Sequence, residues 1–206
     1  MKRHKIDVWY NGKWNNEKLV QNPHSHYPHI IHNYLTPKQC DKIVKDRVSW
    51  ESYQGEVFDA SESEVRKDIR KVHVYRLPKS LEWLFEKVWS TLQKTNSKFY
   101  QYDLEGIGEP PILLEYIAPG AGYAWHMDLG KKGPSTNRKL LFVILLNDEY
   151  EGGDLNVFYG GENLQTIPLK KGSIVIYPSY TLHQVSEVVK GTRYAIIGWA
   201  GGDTFK

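Results

Sequence analysis

From Pro111 onward the sequence falls into short apolar runs broken by Gly, Pro, Asn and Asp, and none of these runs keeps helical spacing. Candidate strands are Ile112–Ile117, Tyr123–Asp128, Lys139–Leu146, Asp154–Phe158, Leu164–Pro168, Ser173–Tyr177, Leu182–Glu187 and Arg193–Trp199. So many short strands leave many hydrogen-bonding edges exposed. Closing them into two facing sheets protects those edges. The expected fold class is therefore α+β and β-dominated, with a double-stranded β-helix (jelly roll) over residues 111–200.

The preceding segment, residues 29–110, reads as helical support for that core. Thr36-Pro37 has the form of a helix start, Thr as N-cap and Pro at the first helical position, with Cys40, Ile43, Val44 and Val48 behind it at helical spacing. Ser80 is expected to open a second helix, with Leu81, Leu84, Phe85, Val88 and Leu92 on one face. Val72, Val74 and Tyr75 to Leu77 suggest a strand between the two. Residues 1–28 read as an irregular N-terminal arm. Its His24 and His26, with His29 and His32 beyond, invite a metal-site reading, but Pro23 and Pro28 break the regular backbone that such a site needs, so a surface loop is expected.

Composition narrows the function classes. Among 206 residues Cys40 is the sole cysteine, which rules out an intrachain disulfide and a thiolate metal cluster. A net charge of +3 with no dense Lys/Arg stripe argues against a nucleic-acid partner. No apolar stretch has the length of a membrane span, and the basic start lacks an uninterrupted apolar region, so no membrane association and a cytoplasmic location are expected.

The chemistry gathers on a few positions. His126 and Asp128 stand two apart in a predicted strand, so both side chains point to one face. His183 lies on a later strand that sheet closure can bring alongside. Two His and one carboxylate on one face of an octahedron describe a non-haem Fe(II) site with positions left open. Ten residues after His183 comes Arg193, flanked by apolar residues, and then Trp199. An inward guanidinium there suits a ligand carboxylate; a solvated strand-end charge is the alternative.

At this point the chain resembles the 2-oxoglutarate/Fe(II)-dependent dioxygenases, in their prolyl 4-hydroxylase-like branch. The stretch Tyr116-Ile-Ala-Pro-Gly-Ala-Gly-Tyr123-Ala-Trp-His126-Met-Asp128 carries that branch's Tyr, Gly-rich turn, Tyr and His-x-Asp. Leu146-Asn-Asp-Glu-Tyr-Glu-Gly-Gly-Asp-Leu155 and the run from Pro178 through His183 to Gly-Thr-Arg193 match two further elements, and Tyr34-Leu-Thr-Pro resembles the entry to its first helix. The resemblance implies a cupin-like jelly roll in which His126, Asp128 and His183 hold iron. It makes Arg193 the partner of the 2-oxoglutarate C5 carboxylate and Tyr116 a hydroxyl lining the co-substrate pocket. It also sets Tyr123, Arg138 and Trp199 on the substrate side, where core packing is the alternative for the two aromatics and an exposed strand-end charge for Arg138. The implied cofactors are Fe(II), 2-oxoglutarate and O2, with ascorbate as reductant.

Two departures stand out. Leu145 occupies a position where some members place a Tyr beside the co-substrate carboxylate. The stretch after Arg193 has no second Arg, which counts against the nucleic-acid dealkylating branch. The resemblance implies hydroxylation of a substrate C–H, in the first place a prolyl residue of a peptide or protein, with release of succinate and CO2. A same-fold oxygenase acting on a free amino acid, small metabolite or modified nucleotide is the alternative within the class. A non-catalytic metal-binding jelly-roll module is the alternative outside it.

Overall fold

The computed structural model describes residues 3–10, 13–20, 27–55, 57–58, 63–64, 72–160 and 163–203. His24 and His26 lie outside the described residues. Within the arm, β1 (Arg3–Tyr10) and β2 (Lys13–Val20) pair antiparallel as a two-stranded sheet of their own, in place of the irregular backbone expected there. The sequence carries the reason: Asn11-Gly12 between two strand-compatible runs is a strong hairpin signal.

Next come β3 (His29–Ile31) and α1 (Pro37–Asp46). Thr36 caps α1 as expected, with a reciprocal capping box: its hydroxyl accepts from the Gln39 N–H, and the Gln39 side chain accepts from the Thr36 N–H. Cys40 and Ile43 are buried. Val48, expected on the same stripe, is instead 78% exposed, because the chain tightens into a 3-10 turn at Arg47–Ser49 that rotates it away. Short strands β4 (Ser52–Gln54), β5 (Val57–Phe58), β6 (Ser63–Glu64) and β7 (His73–Arg76) precede α2 (Glu82–Thr95). Ser80 does not cap α2; it sits in a 3-10 turn, Lys79–Leu81, leading into it. Leu84, Val88 and Leu92 form the buried face of the helix.

The core strands are β8 (Gly106–Ile107), β9 (Ile112–Ile117), β10 (Ala121–His126), β11 (Arg138–Leu145), β12 (Tyr150–Gly152), β13 (Leu155–Phe158), β14 (Leu164–Thr166), β15 (Ile174–Pro178) and β16 (Leu182–Gly201). One sheet runs β3-β15-β11-β16-β9-β7-β4, so the N-terminal segment contributes strands as well as helices. Facing it, β10, β12 and β13 pair with the first half of β16, and β14 pairs with β13. The two last strands read from the sequence are thus one strand of 20 residues that serves both sheets. Gly191, at φ +77, lies where pairing with β12 gives way to pairing with β9.

Strand β11 shows why this architecture follows from the sequence. Leu140, Phe142 and Ile144 face α1 and α2, while Leu141 and Val143 face the interior between the sheets. Both faces are buried, so from Leu140 to Leu145 the strand is apolar throughout instead of alternating. Each side chain so buried is worth about 1.5–3 kcal/mol. The result is the expected jelly roll with supporting N-terminal helices. No helix among the described residues is long and apolar enough to cross a membrane.

A polar knot ties α1 to the sheet. Glu115 on β9 accepts from Arg47 Nη2 at 2.6 Å and from the Tyr194 hydroxyl at 2.9 Å on one oxygen, and from the Tyr75 hydroxyl at 2.7 Å on the other. Burial raises the Glu115 carboxyl, but the hydrogen bonds from Tyr75, Arg47 and Tyr194 outweigh it and hold the group below its ordinary 4.5. A depressed carboxylate contributes stability in full above its unfolded value and loses it as pH falls through the folded one. Denaturant titrations should therefore show stability falling below about pH 4.5, and Glu115→Gln should flatten that slope while costing about 3 kcal/mol at neutral pH.

Candidate metal centre

His126 closes β10, His183 lies near the start of β16, and the two are direct partners in the antiparallel ladder, with ring centroids 4.2 Å apart. Asp128 was expected on the same strand, but the strand ends at His126. The carboxylate is carried back to the histidines by the N–H groups of Asp128 and Leu129, which both donate to the Ser179 carbonyl at 2.9 and 3.0 Å. His126 Nε2 stands 3.6 Å from Asp128 Oδ1, and His183 Nε2 3.7 Å from Asp128 Oδ2. These separations are too long for hydrogen bonds and short enough for the groups to share one ion. The three ligand atoms lie within 4.8 Å of one another.

Both imidazoles are oriented through the other ring nitrogen. Nδ1 of His126 lies 2.7 Å from the Ala124 carbonyl, and Nδ1 of His183 2.8 Å from the Thr181 carbonyl. A carbonyl only accepts, so Nδ1 carries the proton in each ring and the Nε2 lone pair faces Asp128. Tyr123 stacks on His126 at 3.5 Å between centroids, which fixes that ring from its outer side. Burial raises the Asp128 carboxyl, but His183, His126, the Trp199 hydrogen bond and Arg138 together hold it below the usual carboxylate range. The donor set is two imidazoles and one carboxylate, which fits a hard or borderline divalent ion with open positions.

Trp199 and Arg138 are part of this construction. Trp199 is buried and its indole N–H donates to Asp128 Oδ2 at 3.0 Å. The Arg138 guanidinium lies over the Trp199 ring at 3.7 Å and donates to the Asp128 carbonyl at 3.2 Å. Arg138 is therefore no solvated strand-end charge. Its Nε and Nη2 make a bidentate pair with Glu109, both bonds 2.6 Å. Glu109 escaped the sequence reading because an isolated Glu in a turn before a strand carries no motif.

Arg193 is the other pole of the interior. It is 2% exposed, and among the described residues no carboxylate pairs with it; its nearest aromatic partner is the Tyr116 ring, 5.3 Å from the guanidinium carbon. Its Nε has no hydrogen-bond partner. An uncompensated buried charge costs several kcal/mol, which a ligand carboxylate offsets. Gly153, at φ +66, makes room for the stem: a Cβ there would meet Arg193 Cδ at 2.9 Å. Asn147 pins the backbone on either side of Arg193, donating to the Thr192 carbonyl at 2.7 Å and accepting from the Tyr194 N–H at 2.8 Å. The Leu-Asn and Gly-Gly elements of the sequence thus act by holding this guanidinium. Leu145 is buried and pairs with Ala195, two residues further along β16, and offers no polar group.

Residues 112–201 match the family model described as the 2OG-Fe(II) oxygenase superfamily. A PKHD-type hydroxylase of Synechococcus sp. (strain CC9605) is 40% identical over 92 residues, which cover 43% of this chain and 40% of that protein. A PKHD-type hydroxylase of a Picosynechococcus species is 28% identical over 171 residues, covering 82% and 75%. The fold matches that of a prolyl hydroxylase from Trichoplax adhaerens, solved with a peptide fragment of the hypoxia inducible factor oxygen degradation domain (TM-score 0.73, 18% identity, 87% of this chain and 84% of that one). It also matches a Pseudomonas putida prolyl-4-hydroxylase (TM-score 0.68, 18% identity, 87% and 95%).

Removing support from behind a metal ligand typically costs 10–100-fold in metal affinity. Glu109→Gln breaks the pair that holds Arg138 over Trp199. Titration with Mn(II) should show binding weakened by about tenfold, and Glu109→Asp should recover part of the loss.

Proposed function

We propose that this chain is an oxygenase of the 2OG-Fe(II) type, an Fe(II)- and 2-oxoglutarate-dependent hydroxylase whose substrate is a prolyl residue in a peptide or protein. The observation that carries this reading is the pairing, in one closed interior, of the His126–Asp128–His183 triad with the buried, unpaired guanidinium of Arg193. A metal alone needs only the triad. A dicarboxylate that binds the metal at one end needs a cation for the other, and Arg193 supplies it.

Fe(II) bound with 2-oxoglutarate and O2 supplies the hydroxylation of a C–H bond, with succinate and CO2 released. The protein's part is geometric and electrostatic. His126 and His183 present their Nε2 atoms, fixed by the Ala124 and Thr181 carbonyls. Trp199 holds one oxygen of Asp128, so the carboxylate cannot rotate freely. Arg193, with Tyr116 beside it, orients the co-substrate from the far end.

The prolyl substrate is supported by the two prolyl hydroxylases of like fold and by the aromatic side chain beside the triad. There Tyr123, on the same strand as His126, stacks on the His126 ring, and an aromatic face suits the apolar ring of a proline in an extended peptide. Arg138, tied to Glu109, and Trp199 line the same side and are proposed substrate contacts. Ascorbate is proposed as the reductant that keeps the iron in its Fe(II) state.

The test is turnover of 2-oxoglutarate to succinate with Fe(II), with and without proline-containing peptides, and mass analysis of the peptide for one added oxygen atom. The reading predicts peptide-stimulated succinate and a hydroxylated proline. His126→Ala should reduce succinate to the enzyme-free background. Arg193→Ala should weaken 2-oxoglutarate binding by about a hundredfold, as expected for loss of a buried charge-assisted pair. Undiminished turnover in His126→Ala would remove the metal assignment, and unchanged 2-oxoglutarate affinity in Arg193→Ala would remove the co-substrate assignment separately.

A further inference from the structure

The helix side of the larger sheet holds a cavity that none of the roles above uses. It has a volume of about 300 Å3 and lies between β3 and the C-terminal end of α2. Ile31 and Tyr34, which line it, pack in the cluster between sheet and helices, whereas Trp199, which holds Asp128, packs in the interior between the two sheets. The sheet therefore separates this cavity from the metal centre.

The cavity is lined by cations and hydroxyls. Lys94 and Lys98 stand four apart at its rim, both exposed, and Lys94 has no ionic or hydrogen-bonded partner among the described residues. Like charges at that spacing repel and weaken a helix, so their placement here requires a reason. Thr95 is 5% exposed and lines the cavity, and its hydroxyl makes no hydrogen bond among the described residues. One turn earlier, Thr91 donates to the Lys87 carbonyl at 2.9 Å, the ordinary use of a threonine hydroxyl within a helix. Thr95 departs from that use. Among the described residues no carboxylate lines the cavity. Two cations and a buried, unpaired hydroxyl without an anion of their own call for a ligand that brings one.

The walls around these groups are held in place. The Lys87 ammonium lies 4.4 Å from the centroid of the Tyr34 ring and donates to the Tyr34 carbonyl. His29 stacks on Phe99 with ring centroids 4.3 Å apart. Past Thr95 the helix widens into a π-helical turn, Asn96–Tyr100, which carries Lys98. Such turns are rare and are frequent at functional sites.

We propose that this cavity is a binding site for a small organic anion, with a carboxylate or phosphate head on an apolar body. The head lies between Lys94 and Lys98 and accepts from the Thr95 hydroxyl, and the body packs on Ile31 and the Tyr34 ring. The site stands independently of the reading given for the triad and Arg193.

The experiment is a titration of the full chain followed by backbone amide NMR. Hexanoate and hexyl phosphate are the probes, and hexanol is the uncharged control. Saturable shifts gathered on residues 29–34 and 91–98 are expected with at least one anion and not with hexanol, and the tighter probe identifies the preferred head. Lys94→Gln combined with Lys98→Gln should weaken binding about tenfold, and Thr95→Val about threefold. Shifts that never saturate, that hexanol reproduces, or that gather around His126 and His183 overturn the inference. So does unchanged affinity in either variant.

Discussion

The backbone ladder of β16 is the constraint on which the rest of the site depends. Its first half pairs with β10 and β13 and its second with β9 and β11, so one run of 20 residues belongs to both sheets. Antiparallel register then places His183 against His126 without any help from side chains. Period two along the remainder of the strand directs Arg193, Ala195, Ile197 and Trp199 into the same interior. A slip of one residue in this register would turn all of them outward at once. The candidate metal ligand His183, the indole that holds Asp128 and the cationic Arg193 are thus fixed by a single set of backbone hydrogen bonds.

Around that strand, the site is built by satisfying some polar groups and withholding partners from others. Nδ1 of both histidines, the Asp128 carboxylate and the backbone flanking Arg193 all have partners, which removes their freedom. Arg193 Nε and the Tyr177 hydroxyl, both buried, have no hydrogen-bond partner among the described residues. In a purely structural core this would be a defect, since an unmade buried hydrogen bond costs about 1–3 kcal/mol. In a binding interior the same groups are preorganised for a ligand, and the stability given up in the ligand-free protein returns on binding. The Glu115 knot with Arg47, Tyr75 and Tyr194 lies on the helix side of the sheet, where it contributes the stability that the interior withholds.

Much of this was legible from residues alone, for physical reasons that differ from element to element. The Thr36 capping box and the doubly apolar β11 are local patterns, and local patterns survive in a linear string. The triad was legible because His126 and Asp128 are close in sequence and because His183 and Arg193 keep the spacing of a resembled family. The unity of β16 was hidden by Gly191, which reads as a break between two strands yet here permits one strand to change sheets. Glu109 and Tyr177 were invisible because their meaning lies in contacts across the fold: one clamps Arg138, and the other is defined by a missing partner. Asn147 and Gly153 could be seen as motif letters, but their work on Arg193 needed coordinates.

The most direct test of the account is a crystal structure of the protein with Mn(II) and 2-oxoglutarate. Anomalous scattering should place one ion on His126 Nε2, Asp128 and His183 Nε2, with the co-substrate chelating it and its far carboxylate on Arg193. An ion held elsewhere, or a co-substrate bound with Arg193 still unpaired, would contradict the claim that β16 assembles one iron and 2-oxoglutarate site.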